Sequence, residues 1–119
     1  MGTAPRRTRV DRDALQLTVF VAEPHVGDRR SRVDQLLRQA AAAGTSGATV
    51  VAAYEGFGRR HSHEPSFWHR ADETPLQVVF VDTPERIQRV LQLLDEVLPD
   101  SVAVTRIVRA IQYTRDHPE

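Results

Sequence analysis

The 119-residue chain has no cysteine and no lysine; its 16 basic residues are all arginines, balanced by 16 acids. Lacking cysteine, it can form no disulfide, thiolate nucleophile or cysteine-ligated metal site. Lacking lysine, it can form no Schiff base on a lysine side chain and no Walker-type phosphate contact. The formal net charge is zero, so nothing global favours nucleic acid or an anionic membrane as partner, and no nucleic-acid binding is expected. No apolar run approaches the roughly 18 residues of a membrane span. The arginine-rich N-terminus lacks the apolar segment of a secretory signal, so the expected compartment is the cytoplasm. The length suits one domain with a core able to fold alone.

Residues 1–13 are polar, with Arg6, Arg7, Arg9 and Arg12 among Gly, Thr and Pro, and read as a flexible tail. Residues 14–114 read as the folded domain and 115–119 as a second tail. Leu15, Leu17, Val19 and Val21 alternate with Gln16, Thr18 and Phe20, the period of a strand with one apolar face. Val33, Leu36, Leu37, Ala40 and Ala41 fall on one stripe of a helix expected over about Arg29 to Ala43. Gly44 is placed to end it in the left-handed conformation. A second strand is expected over Ala48 to Glu55 and a third over Leu76 to Asp82. The third is apolar almost throughout, which predicts cover on both faces. Thr83-Pro84-Glu85 is a strong helix start, and Ile87, Val90, Leu91, Leu94 and Val97 form the stripe of the helix that follows. A last strand is expected over Val102 to Tyr113. Its apolar residues change phase between Val104 and Ile107, predicting a bulge near Thr105-Arg106 or two short strands.

The order β-α-β-β-α-β is the ferredoxin-like α+β pattern. Right-handed crossovers place both helices on one face of a four-stranded antiparallel sheet. The other face then needs cover from self-association.

The long connection 56–74 holds the remaining chemistry, since loops of that length are usually functional or disordered. Arg59 and Arg60 stand beside the glycines of Gly56-Phe57-Gly58; guanidinium forks and closely approached amides suit a small anion. His61, His63, Glu64 and His69 are ligand types that zinc accepts, but their spacing fits no metal motif and no metal is expected. Phe67 and Trp68 are large apolar groups in a polar segment, suited to docking a partner or packing on their own assembly. Ser62 beside histidines makes no triad by adjacency. No carboxylate pair stands isolated in an apolar frame, so an enzyme is not expected. Glu23, at the end of the first strand, could face a cleft or simply solvent.

Gly47-Ala48-Thr49-Val50, Glu55-Gly56-Phe57-Gly58, Thr74-Pro75-Leu76 and Val81-Asp82-Thr83-Pro84-Glu85-Arg86-Ile87, in this order and frame, resemble the PII-like domain of unknown function 190 family. Gly56-Phe57-Gly58-Arg59 also resembles the passage that opens the T-loop of PII signalling proteins. The resemblance covers roughly Leu15 to Tyr113. It implies a homotrimer with sheets facing inward, three clefts between subunits, and loops that reach a protein target such as a transporter or an enzyme. It implies an adenine nucleotide as the ligand, with Thr49 and Gly56 in the cleft, Phe57, Gly58, Arg59 and Arg60 beside them, and Arg109 echoing the family's basic last strand. Four departures accompany it. From Gly47 to Gly56 there is one residue more than PII has, and the basic last strand is only partly echoed, with Gln112 and Thr114 where basic residues would be expected. The connection Leu98-Pro99-Asp100-Ser101 has none of PII's phosphate-loop lysines, and the loop has no tyrosine for uridylylation. A small metal-assisted enzyme and a purely structural oligomeric module are the alternative expectations.

Overall fold

The computed structural model describes residues 7–24, 32–52, 55–58, 66–69 and 73–115. In chain order these form β1 (Arg7–Pro24), α1 (Arg32–Ala42), β2 (Thr49–Ala52), β3 (Glu55–Gly58), β4 (Ser66–His69), β5 (Glu73–Asp82), α2 (Pro84–Val97) and β6 (Val102–Arg115). β2, β5, β1 and β6, in that order, make one antiparallel sheet; β3 and β4 pair separately as a hairpin. With β3 and β4 set aside, the frame is the βαββαβ of a ferredoxin-like α+β fold.

The helices form where the stripes predict. Val33, Leu36 and Ala40 of α1 and Ile87, Val90, Leu94 and Val97 of α2 are buried. They close over Leu17, Val19, Val78 and Phe80 of the two central strands, all almost inaccessible. Thr83 caps α2 by accepting the Arg86 amide at 3.3 Å, with Pro84 in the first turn. Gly44, at φ +94°, ends α1. Its amide donates to the Ala41 carbonyl at 3.1 Å and that of Thr45 to Ala40 at 3.2 Å, the paired bonds of a Schellman turn.

Three expectations are corrected. Residues 7–13 are not tail: β1 runs back to Arg7, pairing through to Arg115 of β6. Among the described residues this outer part of the ribbon pairs with no third strand, so it needs no apolar alternation, and its charges disguise it. Bidentate Arg9–Asp11 contacts at 2.9 and 3.2 Å and an Arg109–Asp11 contact at 2.8 Å lie on one of its sides. Second, β6 is one strand with no bulge, because its register with β1 is unbroken from Phe20↔Val102 to Arg7↔Arg115. Its apolar residues simply occupy both sides of an edge strand. Third, the second strand stops at Ala52, and Glu55–Gly58 belongs to the hairpin, which brings Ser66–His69 of the expected loop into a strand. The expected first turn of α1, residues 29–31, lies outside the described residues.

The two faces of the sheet differ. On the side away from the helices, Phe20, Val51, Val81, Val102 and Val104 are 40–57% exposed. The near-continuous apolar character of β5 is therefore answered on one face only within a single chain.

Candidate functional site

β2 begins where three local interactions hold the chain. After the Schellman turn, the Ser46 amide donates to the Asp82 carboxylate at 2.7 Å. Asp82 ends β5 and is 1% exposed. The Thr83 amide donates to its other oxygen at 2.8 Å, and Arg86 reaches both Asp82 and the Ser46 hydroxyl, at 3.2 and 3.1 Å. Burial pushes the Asp82 carboxyl up, but the Ser46 and Thr83 amides, the Arg86 guanidinium and the Ser46 hydroxyl more than offset it, and its pKa lies below the ordinary 3.8. This clamp ties the α1–β2 connection to the β5–α2 junction and so positions Thr49. Nothing in the sequence signals Ser46 as its partner; the Asp82-Thr83-Pro84 start of α2 gives half of it.

Thr49 opens β2, exposed, opposite Val79 and on the uncovered face. Gly56, Phe57 and Gly58 lie on β3, directly opposite Trp68, Phe67 and Ser66 of β4. The fold thus brings the Gly56-Phe57-Gly58 strand and the two candidate docking residues onto one hairpin, which sequence order alone does not show. Arg59 and Arg60 lie outside the described residues, as do His61, His63 and Glu64. Arg109 sits on β6, its side chain 66% exposed and its guanidinium on Asp11. It pairs with Asp13 in register, on the helix side of the sheet, whereas Thr49 lies on the other side. β2 and β6 are the two edges of the sheet, with β5 and β1 between them. One chain therefore does not bring Thr49 and Arg109 together. The aspartate that holds Arg109 was not expected, because residues 7–13 read as tail.

Among the described residues no three His, Asp or Glu side chains converge as a metal site. No helix among them is long and apolar enough to cross a membrane.

Comparison with known proteins agrees with this frame. No curated protein matches. Among solved structures, CPII of Thiomonas intermedia K12, bound to ADP, AMP and acetate, superposes with a TM-score of 0.59 at 14% identity, covering 85% of this chain and 91% of that one. CPII is a nitrogen regulatory PII-like protein. TTHA0516 of Thermus thermophilus, classed as a PII-like signaling protein, gives 0.54 at 16% identity over 86% and 91% of the two chains. CutA of Synechococcus elongatus PCC7942 gives 0.55 at 15% over 90% and 85%. At these identities the likeness carries the fold. The family profile described as DUF190, Uncharacterized ACR, matches residues 14–110, and the chain belongs to this family, the PII-like domain of unknown function 190.

Proposed function

We propose that the protein is a cytoplasmic, PII-like regulatory homotrimer. It binds a small anion, an adenine nucleotide, in clefts between subunits, and it acts on a protein target through the 56–74 segment. The observation that carries this reading is the division of the candidate ligand residues between opposite edge strands. Thr49 on β2 and Arg109 on β6 can serve one ligand only if the β2 edge of one copy approaches the β6 edge of the next. The uncovered apolar face, with Phe20, Val81 and Val104 exposed, supports association by the hydrophobic effect. The residues fit the ligand class: a hydroxyl at Thr49, the backbone of Gly56 and a guanidinium at Arg109 are donors for phosphate oxygens. CPII, a protein of the same fold, is bound to ADP and AMP.

In this reading the ligand alters the β3–β4 hairpin, because Gly56 is both a ligand contact and the partner of Trp68 in the hairpin register. Binding at Gly56 then changes how Phe67 and Trp68 meet a transporter or an enzyme, a switch by ordering of a segment. The protein itself catalyses nothing.

The test is sedimentation velocity at micromolar concentration, followed by thermal shift with ADP and AMP. A trimer whose melting temperature rises with nucleotide is expected; a ligand at a hundred times its dissociation constant adds about 2.7 kcal/mol. The gain should disappear in Arg109→Ala. A monomer sinks the cleft. A trimer indifferent to nucleotides leaves the structural module as the better reading.

A further inference from the structure

The acids and the arginines of the sheet are not shared evenly between its two sides. Asp11, Asp13 and Asp82 all occupy helix-side positions of β1 and β5. Two of them hold arginines: Asp11 bonds Arg9 and Arg109, and Asp82 bonds Arg86. Arg106 of β6 stands on the opposite, uncovered side, at the position facing Gln16. It is exposed, and among the described residues no carboxylate lies within ion-pair distance of it.

Its surroundings on that side are apolar apart from one polar pair. Val104 and Val108 flank it along β6, and Gln16 and Val81 stand in its row across the sheet. The Gln16 amide donates to the Thr18 hydroxyl at 3.3 Å. This leaves the second amide hydrogen of Gln16, the hydroxyl hydrogen of Thr18 and the N–H groups of Arg106 as free donors. Facing residues on one side of a strand pair have Cβ atoms about 5 Å apart and diagonal ones about 7–8 Å, so one small group can meet all three side chains. The island is rich in donors, carries one positive charge and holds no acid.

We propose that Arg106, Gln16 and Thr18 hold a small inorganic oxyanion of the phosphate or sulfate kind on the inward face of the assembly, apart from the nucleotide clefts. The inference rests on the homotrimer proposed above. When copies cover the open face, Arg106 passes from water into a surface of valines, and a guanidinium buried there without a counter-charge is costly. The sheet supplies no acid nearby. Glu73, the one acid at a position of this side among the described residues, is separated from Val81 along β5 by about 26 Å at roughly 3.3 Å per residue. In a closed ring every copy holds a given residue at one height along the axis, so Glu73 of another copy is no nearer in that direction. An oxyanion supplies the missing charge and accepts several donors at once.

The test uses inorganic phosphate and the full chain. With phosphate replacing chloride at fixed ionic strength, sedimentation equilibrium should show assembly at a protomer concentration about ten-fold lower. Arg106→Leu removes the uncompensated charge; it should assemble without phosphate at least as tightly as the wild type and gain nothing from phosphate. A general salting effect would persist in that variant. Arg106→Lys should keep part of the phosphate effect, and Gln16→Leu should weaken it. Isothermal titration should still show phosphate binding to protein saturated with ADP. No phosphate effect in the wild type, equal effects in the wild type and Arg106→Leu, or displacement of phosphate by ADP overturns this site and leaves the homotrimer standing. A trimer indifferent to ADP that keeps an Arg106-dependent phosphate effect supports this site and removes the nucleotide clefts. A wild type that stays monomeric at micromolar concentration, with and without phosphate, overturns the homotrimer and this site together.

Discussion

The two faces of one sheet are built from the same residue types and meet different fates. Val19 and Val78 on the helix side are wholly inaccessible, while Val81 and Val104 on the opposite side are 40% and 47% exposed. Residues on the two sides alternate along the same strands, so neither local propensity nor composition separates them. Apolar character records that a side chain is to be buried. It does not record which side its own helices will cover.

The largest expected effect sharpens this contrast. Phe80→Ala should lower the unfolding free energy by about 4 kcal/mol in urea titration, the cost of a cavity in a closed core. Val104→Asp should leave the folded monomer within about 0.5 kcal/mol of wild type and yet abolish assembly, because a carboxylate is costly to bury unpaired. If Val104→Asp assembles normally in sedimentation, the open face is not the surface between copies and the contrast has another cause.

Next in size is Asp82, the buried carboxylate that joins the connection before β2 to the start of α2. Asp82→Ala should cost about 3 kcal/mol, mostly from the stranded Ser46 and Thr83 amides, since Arg86 is partly solvated. The sign of its pH dependence follows from its lowered pKa. The stabilisation is fully present above the ordinary aspartate value of 3.8 and is lost as pH falls through the lower folded value. The acid limb of a stability–pH curve should therefore be shallower in Asp82→Asn than in the wild type. Equal slopes would mean that Asp82 is not the clamp.

Gly44 comes third. A β-carbon there meets nothing closer than the Arg89 guanidinium at 3.8 Å, so space is not the obstacle; the φ of +94° is. Gly44→Ala should cost about 1–2 kcal/mol, read as a lower urea midpoint with an unchanged slope.

These positions mark what the sequence discloses. The four-stranded sheet, both helices, the Thr83 cap and the Gly44 stop are legible because each depends on neighbours a few residues away: a stripe, a cap, a turn. The outer ribbon is not, because Arg9, Asp11, Arg12 and Asp13 put charges on both of its sides and leave no hydropathy alternation, and its strand partners lie on β6, nearly the length of the chain away. The phase change in β6 misleads for a related reason. Val104 and Ile107 look out of step only if one side of the strand is assumed to be wet, whereas both sides of this edge strand are apolar. The site is legible as residue types and not as a place. Thr49 and Arg109 were each singled out, yet their placement on opposite edges depends on strand order, which no local pattern encodes.

The smallest effect on stability is expected at Asp11, and it bears most on function. Asp11 holds Arg109 at 2.8 Å and Arg9 at 2.9 Å, in a setting where the arginine side chains are more than half exposed. Exposed pairs of this kind contribute about 0.2–1 kcal/mol, so Asp11→Asn should barely move the urea midpoint. Its effect on ligand affinity has a sign that depends on what Arg109 does. If Arg109 binds a phosphate, Asp11 competes with the ligand for the same guanidinium, and removing its charge should tighten ADP binding while Arg109→Gln weakens it. If Arg109 serves only to hold the ribbon, both substitutions should leave ADP affinity unchanged or lower it together through a loosened strand pair. Isothermal titration of ADP into the two variants at low and at moderate salt separates the cases. Opposite shifts that shrink as salt screens the competing charges would put Arg109 in the cleft, and parallel shifts would take it out and leave Thr49 and Gly56 without a cation from the neighbouring strand.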